Sequence, residues 1–436
     1  MIDDEPNHNH FFLSQESKLL QSDSFSLIVE CSLFFDQSIV ITPRIHEPFK
    51  SSFRSYGDLP THLLDEVVFL QGLVGNFFHD IDGYDTLYIE HNLTDSANTY
   101  PRMYCFPNQG FLSNLKQKLN FQLLSTSLFG LSEAAKKRPY VFIQTFSGEQ
   151  NENLYEAWVG LVNNGDKEYL FSILESNKEE RYSKHDLKTQ FEMWIRSIPK
   201  YKIKTEEDVI TLDYIASIEQ SNKIGYNQLA QAYQGTWVQE IYQEAVDRFI
   251  KCLPKRNDPL EILDVGCGPG QYLKVFWEHG FQCVGIDSSP QMVENARNLF
   301  ANSNTAPQVN NISLFDLQLA PNSFDGIWFS AVIVHAPRRS LPAIFTRLRE
   351  ILRDNGLLYV SARLGHGSTV RREGRIFFYF TLGELETYFR DAGFKIIDCW
   401  TDVMDRGTTG KTEKSWGYFL LGKNDQMIDS IGGPNW

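Results

Sequence analysis

An apolar run ends in three alternating glycines in the segment Ile262-Leu263-Asp264-Val265-Gly266-Cys267-Gly268-Pro269-Gly270. The run starts at Leu260 and is typical of a buried parallel strand. Glycine has no β-carbon, so this loop can turn sharply and approach a ligand closely. Apolar residues at helical spacing predict a helix over 271–277, whose amino end would present N–H groups to an anion. Strand, glycine loop and helix in this order predict an α/β fold.

The glycine spacing separates two classes of nucleotide-binding protein. Dehydrogenases carry the pattern G-x-G-x-x-G. Gly266, Gly268 and Gly270 instead form G-x-G-x-G, and Gln271 stands where the third dehydrogenase glycine would be. A second predicted strand ends in Asp287, whose carboxylate can accept hydrogen bonds from ribose hydroxyls in either class. An NAD-dependent oxidoreductase therefore stays an alternative that the glycine spacing disfavours.

Four further segments follow the glycine loop in a fixed order. They are Ser288-Ser289-Pro290-Gln291-Met292-Val293, Ser313-Leu314-Phe315-Asp316-Leu317, the strand 324–330 and the helix with its closing turn at 380–394. With the glycine loop, these segments make the region from about Ser221 to Lys423 resemble class I S-adenosylmethionine-dependent methyltransferases. The resemblance implies a Rossmann-like domain with a mixed seven-stranded sheet and helices on both faces. It also implies S-adenosyl-L-methionine as the cofactor.

The same resemblance assigns cofactor contacts to residues of this chain. The methionine carboxylate would lie at the glycine loop, the ribose at Asp287, and the adenine at Asp316 with the next backbone N–H. The implied contact set is Asp264, Gly266, Cys267, Gly268, Gly270, Asp287, Ser288, Asp316, Leu317 and Ser330. Helix N-capping is the alternative role for the two later aspartates. The family has a Leu-Arg-Pro-Gly-Gly turn before its fifth strand, and we expect the turn here at 352–356, where Asp354-Asn355 departs from that pattern.

Two tyrosines lie seven residues apart in a helical segment before the glycine loop. Tyr226 and Tyr233 would share one face of that helix. The segment resembles the lid helix of small-molecule methyltransferases, which implies that a tyrosine closes over the cofactor. Packing of both rings on the sheet edge is the alternative.

Residues after the fourth and fifth strands are candidates for acceptor chemistry. His335 follows the fourth strand and titrates near neutrality, so it is a candidate catalytic base, with a structural role as the alternative. The most basic segment of the chain follows the fifth strand. We predict that it binds an anionic acceptor at the carboxyl end of the sheet, a solvated loop being the alternative; its arginines are Arg363, Arg371, Arg372 and Arg375.

Composition restricts the partners and the compartment. The formal net charge of −14 would repel phosphates at long range, so we predict neither a nucleic-acid nor a membrane partner. Six cysteines are scattered without paired ligand spacing, which indicates a reduced intracellular protein and no metal site. The N-terminus lacks a basic and apolar leader pattern, and no apolar stretch reaches spanning length, so we expect a cytoplasmic protein.

The length of 436 residues exceeds one ordinary domain. We predict a flexible N-terminus at 1–10, an α+β accessory domain with a mainly antiparallel sheet at 11–200, a linker at 201–212, the methyltransferase domain at 213–424 and a flexible tail at 425–436. In the accessory domain the residue patterns predict helices at 60–78 and 185–198. They predict strands at 25–34, 38–43, 86–90, 102–106, 140–145 and 154–161.

Three passages of the accessory domain resemble histidine-triad proteins and related nucleotidylyltransferases: 38–46, 87–91 and 100–107. Where that family has its alternating histidines, this chain has Tyr100, Arg102 and Tyr104. A protonated guanidinium cannot act as a nucleophile, so we expect no nucleotidyl transfer. Arg102 can still bind a phosphate or carboxylate. The resemblance thus implies a substrate-binding or dimerisation module; a generic α+β domain is the alternative.

Together these features predict methyl transfer to a small-molecule or short-peptide acceptor, in specialised metabolism. A non-catalytic protein that binds S-adenosylmethionine or a nucleotide is a second alternative, beside the oxidoreductase.

Overall fold

The structure is a computed structural model, and it describes residues 18–30, 38–44, 55–83, 85–91, 101–107, 121–124, 127–131, 140–147, 154–161, 184–206, 209–236, 241–303, 305–371, 374–404 and 414–423. The chain divides into two compact units, residues 1–217 and 218–436. Each unit is built on one large β-sheet. Across the described ranges, no helix has both the length and the apolar character needed to span a membrane.

The N-terminal unit is an α+β structure. Its described strands are β1 (Lys18–Gln21), β2 (Phe25–Glu30), β3 (Ser38–Pro43), β4 (Thr86–His91), β5 (Met103–Pro107), β6 (Phe121–Leu124), β7 (Tyr140–Ser147), β8 (Leu154–Leu161), β9 (Ile203–Glu206) and β10 (Val209–Leu212). Its described α-helices are α1 (Thr61–Asp82) and α2 (Lys184–Ser197). The sheet has the order β6-β8-β7-β4-β5-β3-β2-β1-β10-β9, and among these strands only β1 and β10 pair in parallel. A mainly antiparallel sheet was predicted and is confirmed.

Helix α1 covers the middle of this sheet. It packs on β3, β4 and β5 through a broad apolar face. Phe77 near its end lies 5.2 Å from the ring of Phe191 and 5.5 Å from that of Trp194 on α2. Burial of each such side chain contributes roughly 1.5–3 kcal/mol. The two helices are therefore joined by an aromatic cluster.

Glu90 on β4 places a carboxyl group inside this core. Its Oε1 accepts hydrogen bonds from the Tyr140 hydroxyl at 3.0 Å and from the Tyr56 backbone N–H at 3.3 Å. Its Oε2 is buried and has no partner among the described residues. Burial raises the pKa of Glu90 to about 8, because the charged form loses its hydration. The carboxyl group is therefore mainly neutral at pH 7.

The segment 201–212, predicted to be a linker, contains strands β9 and β10 of the N-terminal sheet. The two strands pair in register from Val209 opposite Glu206 to Leu212 opposite Ile203. Lysines and acids in this segment suggested solvent exposure, but apolar residues alternate with the polar ones, and Leu212 is fully buried. That alternation is the period of a half-buried strand.

The C-terminal unit has the predicted mixed seven-stranded sheet. Its helices are α3 (Tyr214–Thr236, which begins before the division), α4 (Gln243–Cys252), α5 (Gln271–Glu278), α6 (Pro290–Leu299), α7 (Leu341–Ile351) and α8 (Leu382–Asp391). Its strands are β11 (Glu261–Val265), β12 (Gln282–Asp287), β13 (Gln308–Asn311), β14 (Phe324–Ser330), β15 (Leu352–Arg363), β16 (Ser368–Val370), β17 (Ile376–Phe378), β18 (Lys395–Met404) and β19 (Lys414–Gly422).

The strand order creates a switch point in this sheet. The order is β13-β12-β11-β14-β15-β19-β18. The first five strands in this order are parallel to one another, and β19 is antiparallel to both of its neighbours. The chain direction across the sheet reverses between β11 and β14. Open α/β sheets bind ligands at the carboxyl ends of the strands at such a point.

An aromatic core fixes β11, β14 and β15 against two helices. Trp328 on β14 stacks on Tyr359 of β15 with ring centres 3.8 Å apart. Phe249 of α4 and Phe276 of α5 contact Trp328 edge-on, at 5.3 and 5.2 Å. This packing holds the strands whose carboxyl ends carry the candidate site.

The turn predicted at 352–356 is instead the beginning of β15. Leu352 pairs with Phe324 and Leu357 with Gly326, so the register shifts and residues 353–356 form a bulge. Arg353 donates to Asp325 at 2.6 Å and also bonds Glu261, which ties the bulge to the sheet. This ion-pair network explains why the segment stays in the strand.

Candidate active site

The glycine loop lies between β11 and α5 and requires glycine for two different reasons. Gly266, Gly268 and Gly270 have φ values of 68°, 54° and 91°, the left-handed region that favours glycine. A β-carbon at Gly266 would lie 2.4 Å from Val332 Cγ2, whereas one at Gly268 would meet no atom within 4 Å. Glycine is therefore required at position 266 by packing against Val332. At Gly268 it leaves the space beside the backbone free of protein atoms.

Asp287 ties this loop to the end of β12. Its Oδ2 accepts the backbone N–H of Gly268 at 3.0 Å, and its Oδ1 accepts that of Ser289 at 2.8 Å. Burial raises the pKa of Asp287 to about 6, and the two N–H donors oppose that shift. Asp287 thus positions the loop while it keeps lone pairs for a ligand.

Asp264 is a second acid at this site, and it is buried near the end of β11. Its Oδ2 is buried and accepts no hydrogen bond within the described part of the chain. Burial and the nearby charge of Asp287 raise the pKa of Asp264 to about 8. A buried oxygen without a donor costs free energy, so this position favours a ligand that supplies a proton or a positive charge.

The other residues predicted to contact the cofactor range from buried to exposed. Cys267 is buried, and its Sγ would lie 3.0 Å from a β-carbon at Gly285, so the thiol packs toward β12. Ser288 is half-buried after Asp287, and Leu317 is buried. Asp316 is exposed, and Gln318 Nε2 donates to both of its carboxylate oxygens at 3.0 and 3.2 Å. The Ser330 hydroxyl lies 3.2 Å from that of Ser361 on β15.

Helix α3 contacts the ends of two strands through adjacent residues. The Tyr226 hydroxyl lies 2.6 Å from His335 Nε2, beyond β14. Asn227 Oδ1 accepts the Ser289 hydroxyl at 2.6 Å, beyond β12. The helix therefore bridges the switch point, although no sequence motif identified Asn227. Tyr233 lies on the same helix, but its side chain is outside the described residues.

The hydrogen bonds of His335 define its protonation state. The ring ends a short 3-10 helix, Ile333–His335, and its Nδ1 lies 2.8 Å from the Ile376 carbonyl oxygen. A carbonyl only accepts, so Nδ1 carries the proton, and Nε2 of the neutral ring accepts the Tyr226 hydroxyl. Burial and the charges of Arg375 and Arg363 together lower the pKa of His335 to about 4, although the Ile376 hydrogen bond opposes this shift. His335 is therefore neutral and weakly basic.

The arginine segment folds into a β-hairpin, β16 and β17. The guanidinium carbons of Arg363, Arg371 and Arg375 lie 5.7, 5.6 and 5.2 Å from the centre of the Phe377 ring. The Phe377 ring in turn lies 4.7 Å from that of His335. Three of the four predicted arginines thus meet beside His335, and Arg372 is outside the described residues.

The N-terminal candidate residues gather around one histidine. Tyr104 on β5 stacks on His91 of β4, with ring centres 6.2 Å apart. Burial and, to a smaller extent, the charge of Arg102 lower the pKa of His91 to about 4. Arg102 and Tyr104 therefore lie near His91, while Tyr100 is outside the described residues.

The family comparison matches the unit that carries the glycine loop. Residues 236–398 match the family model described as a methyltransferase domain. This part of the chain is therefore similar to methyltransferase domains. The match lies within the C-terminal unit and leaves the N-terminal unit unassigned. The chain matches no curated protein.

Solved structures similar to the chain include several methyltransferases. A Burkholderia thailandensis 1,6-didemethyltoxoflavin-N1-methyltransferase, solved with bound 1,6-didemethyltoxoflavin and S-adenosylhomocysteine, is 16% identical; the match covers 52% of this chain and 98% of that one, with a TM-score of 0.41. A Methanosarcina mazei S-adenosylmethionine-dependent methyltransferase is 17% identical, over 42% and 98% of the two chains, with a TM-score of 0.36. Similarity at this level says nothing about the methyl acceptor.

The residues around the glycine loop fit S-adenosylmethionine as the cofactor. The cofactor carries a positive sulfonium, an amino group and two ribose hydroxyls. Asp264 offers a buried oxygen that lacks a donor, and Asp287 offers further lone pairs next to the loop. The open space above Gly268 permits close approach of a ligand to the backbone. Acceptors on the protein therefore match donors and positive charge on the cofactor.

Proposed function

We propose that this protein transfers a methyl group from S-adenosylmethionine to a small-molecule or short-peptide acceptor, with a role in specialised metabolism. The observation that carries the proposal is the pair of acids at the glycine loop of the switch point, the buried Asp264 and the half-buried Asp287. Both have raised pKa values, of about 8 and 6. A cationic ligand relieves both, whereas the pyrophosphate of NAD would bring negative charge to them.

In this mechanism the cofactor supplies a methyl group on a sulfonium, which is already a good leaving group. The residues of the chain therefore act by binding and orientation, which convert the transfer into an effectively unimolecular displacement. Asp264, Asp287 and the backbone of the glycine loop would hold the methionine and ribose parts. Asp316 with the Leu317 backbone N–H would contact the adenine. Helix α3, through Tyr226 and Asn227, would exclude water from the strand ends.

We assign His335 a positioning role rather than that of a base. Its Nε2 already accepts the Tyr226 hydroxyl, and its pKa is lowered to about 4. A group with so low a pKa takes a proton poorly at neutral pH. The ring instead fixes the Tyr226 hydroxyl over the end of β14. Tyr226 and the arginines of the hairpin are then the proposed contacts to the acceptor.

For the N-terminal unit we propose substrate binding or dimerisation, on a histidine-triad-like fold without nucleotidyl transfer. One observation supports a binding role: the charge of Arg102 acts on His91, whose ring stacks on Tyr104. A planar guanidinium is suited to bind a phosphate or carboxylate. Titration of the full chain and of an Arg102→Gln variant with ATP tests the binding role. Analytical ultracentrifugation measures the oligomeric state and so tests dimerisation.

Equilibrium binding tests the main proposal. Isothermal titration of the full chain should show binding of S-adenosylmethionine and S-adenosylhomocysteine and none of NAD. Cell extract incubated with enzyme and deuteriomethyl-labelled cofactor should then yield a labelled product by mass spectrometry. NAD binding without S-adenosylmethionine binding would support an oxidoreductase. Cofactor binding without labelled product in any extract would support the non-catalytic alternative.

A further inference from the structure

Three guanidinium groups meet around a single aromatic ring beside the proposed reaction centre. Arg371 and Arg375 lie on the same face of the β16–β17 hairpin as Phe377, because Thr369 pairs with Phe377 and side chains alternate along each strand. Arg363 approaches the ring from the end of β15 and also lies 5.5 Å from the centre of the Trp416 ring. We call these three arginines with Phe377 the arginine cluster.

Arg363 in this cluster has an unused donor. Its Nη1 is buried and has no hydrogen-bond partner in the described part of the chain. A buried charged donor without an acceptor is unfavourable, and the aromatic rings on either side cannot supply a lone pair along the N–H direction. An oxyanion would satisfy the donor and compensate the local positive charge.

The cluster is held next to the proposed acceptor position. Asn222 on α3 accepts the Ile376 backbone N–H at 2.7 Å, and the Ser221 hydroxyl donates to the Gly374 carbonyl at 2.5 Å. Arg375 also lies 5.2 Å from the centre of the Tyr226 ring. The helix thus fixes the hairpin, and with it the positive charge, beside Tyr226 and His335.

We propose that the arginine cluster binds an oxyanion of the methyl acceptor, a carboxylate or a phosphate group. This inference rests on the proposed methyltransferase function and specifies its substrate class. A planar guanidinium can bind either group through two parallel hydrogen bonds. Ring contacts on Arg363 restrict its side chain, so less conformational entropy is lost when the anion binds. The anionic group serves as an anchor that sets the distance from the cluster to the methylated atom.

Aromatic probes of matched shape test the cluster. The full chain, saturated with S-adenosylhomocysteine, is titrated calorimetrically with benzoate, phenyl phosphate and neutral benzamide. We expect at least one of the two anions to bind and benzamide not to bind. The tighter of the two anions identifies the oxyanion that the site prefers. Affinity should fall as salt is raised, because the interaction is between charges.

Arg363→Gln should weaken binding of the preferred anion about tenfold or more, as expected for loss of a charged hydrogen bond, and Arg363→Lys should restore part of it. Arg371→Gln is a second variant that leaves Arg363 in place, and Arg390→Gln, at an exposed position, is the matched control. S-adenosylhomocysteine affinity should stay unchanged in all four, which shows that each variant is folded.

Any of three results would overturn the proposal. They are equal binding of benzoate, phenyl phosphate and benzamide, anion binding unaffected by both Arg363→Gln and Arg371→Gln, and no binding of any of the three probes to the wild type. Failure of the methyltransferase proposal has a different signature, which is loss of S-adenosylhomocysteine binding in the wild type. The labelled product adds a further check, because its mass should identify an acceptor that contains a carboxylate or phosphate.

Discussion

The Tyr226 hydroxyl donates a hydrogen bond to Nε2 of His335 over 2.6 Å, while His335 Nδ1 donates to the Ile376 carbonyl over 2.8 Å. The imidazole is therefore held from both sides as a neutral ring. A tyrosine of α3, a histidine after β14 and the backbone of β17 form one continuous chain of hydrogen bonds. This chain connects the helix to the hairpin that carries the arginines.

Substitution of His335 separates a positioning role from a base. His335→Ala should lower turnover far more than cofactor affinity, and Tyr226→Phe should lower it to a similar extent. His335→Gln should retain most of the activity, because an amide can accept from Tyr226 and donate to Ile376. Turnover is measured as labelled methyl transfer to the acceptor found in extract. Loss of about 100-fold or more in His335→Gln with an active Tyr226→Phe would instead indicate a general base.

The ionisation of His335 can be followed without an acceptor. Burial, Arg375 and Arg363 place its pKa at about 4, so the ring should stay neutral at every pH above 5.5. Nuclear magnetic resonance of protein with ¹³C-labelled histidine, assigned with His335→Gln, measures this directly. Arg375→Gln removes one positive charge and should raise the pKa. A wild-type titration near the ordinary value of 6.5 would contradict the buried, neutral ring.

Two glycines offer a matched test of the cofactor loop. Gly268 and Gly280 both have positive φ, 54° and 85°, and a β-carbon at either would meet no protein atom within 4 Å. Alanine at either position should therefore cost a similar amount of stability, about 1–2 kcal/mol. Gly268→Ala should abolish S-adenosylmethionine binding in calorimetry, because its methyl group occupies space next to the loop. Gly280→Ala should bind normally; equal loss in both variants would contradict a cofactor site at Gly268.

The sequence predicted the elements of the fold better than the contacts of the site. Strong periodicity located α1, predicted at 60–78 and found at Thr61–Asp82, and strand β8, found at its predicted bounds. The segment 201–212 was wrongly predicted to be a linker. Its many charged residues indicated a solvent-exposed segment, although Ile210 and Leu212 alternate with polar residues as in a half-buried strand. A local sequence pattern indicates local structure only. The prediction was wrong where pairing with a strand distant in sequence decides the structure, as the pairing of β10 with β1 does.

Side-chain roles at the site depend on partners distant in sequence. The candidate base His335 follows from its position after a strand, but its tautomer depends on Tyr226, 109 residues earlier. Asn222 and Asn227 resemble solvent-exposed helix residues in the sequence, and only the fold brings them to Ile376 and Ser289. The glycine loop could be predicted because backbone geometry alone determines its residue types.

Cofactor binding should release protons near neutral pH. Asp264, with a pKa of about 8, is mostly protonated at pH 7 in the free protein. A positively charged ligand lowers that pKa, so S-adenosylmethionine should bind more tightly as pH rises from 6 to 8. Calorimetry in buffers of different ionisation enthalpy measures the protons released, up to about one per site. Asp264→Asn should bind with little proton release; unchanged release in this variant would assign the proton to another group.

Glu90 should make the N-terminal unit less stable as pH rises. Its pKa is about 8 in the folded chain and near its ordinary value of 4.5 when unfolded, so the folded state holds the extra proton between these values. The stabilisation is complete below about pH 4.5 and is lost as pH rises through about 8.

Glu90→Gln keeps the shape of the side chain without its charge. The melting temperature of this variant, relative to that of the wild type, should therefore increase from pH 6 to pH 9. That difference isolates Glu90 from Asp264, which is present in both proteins and also titrates near pH 8. Thermal unfolding followed by circular dichroism measures it, and a difference that does not depend on pH would show that Glu90 is ionised in the core, with a partner for its charge.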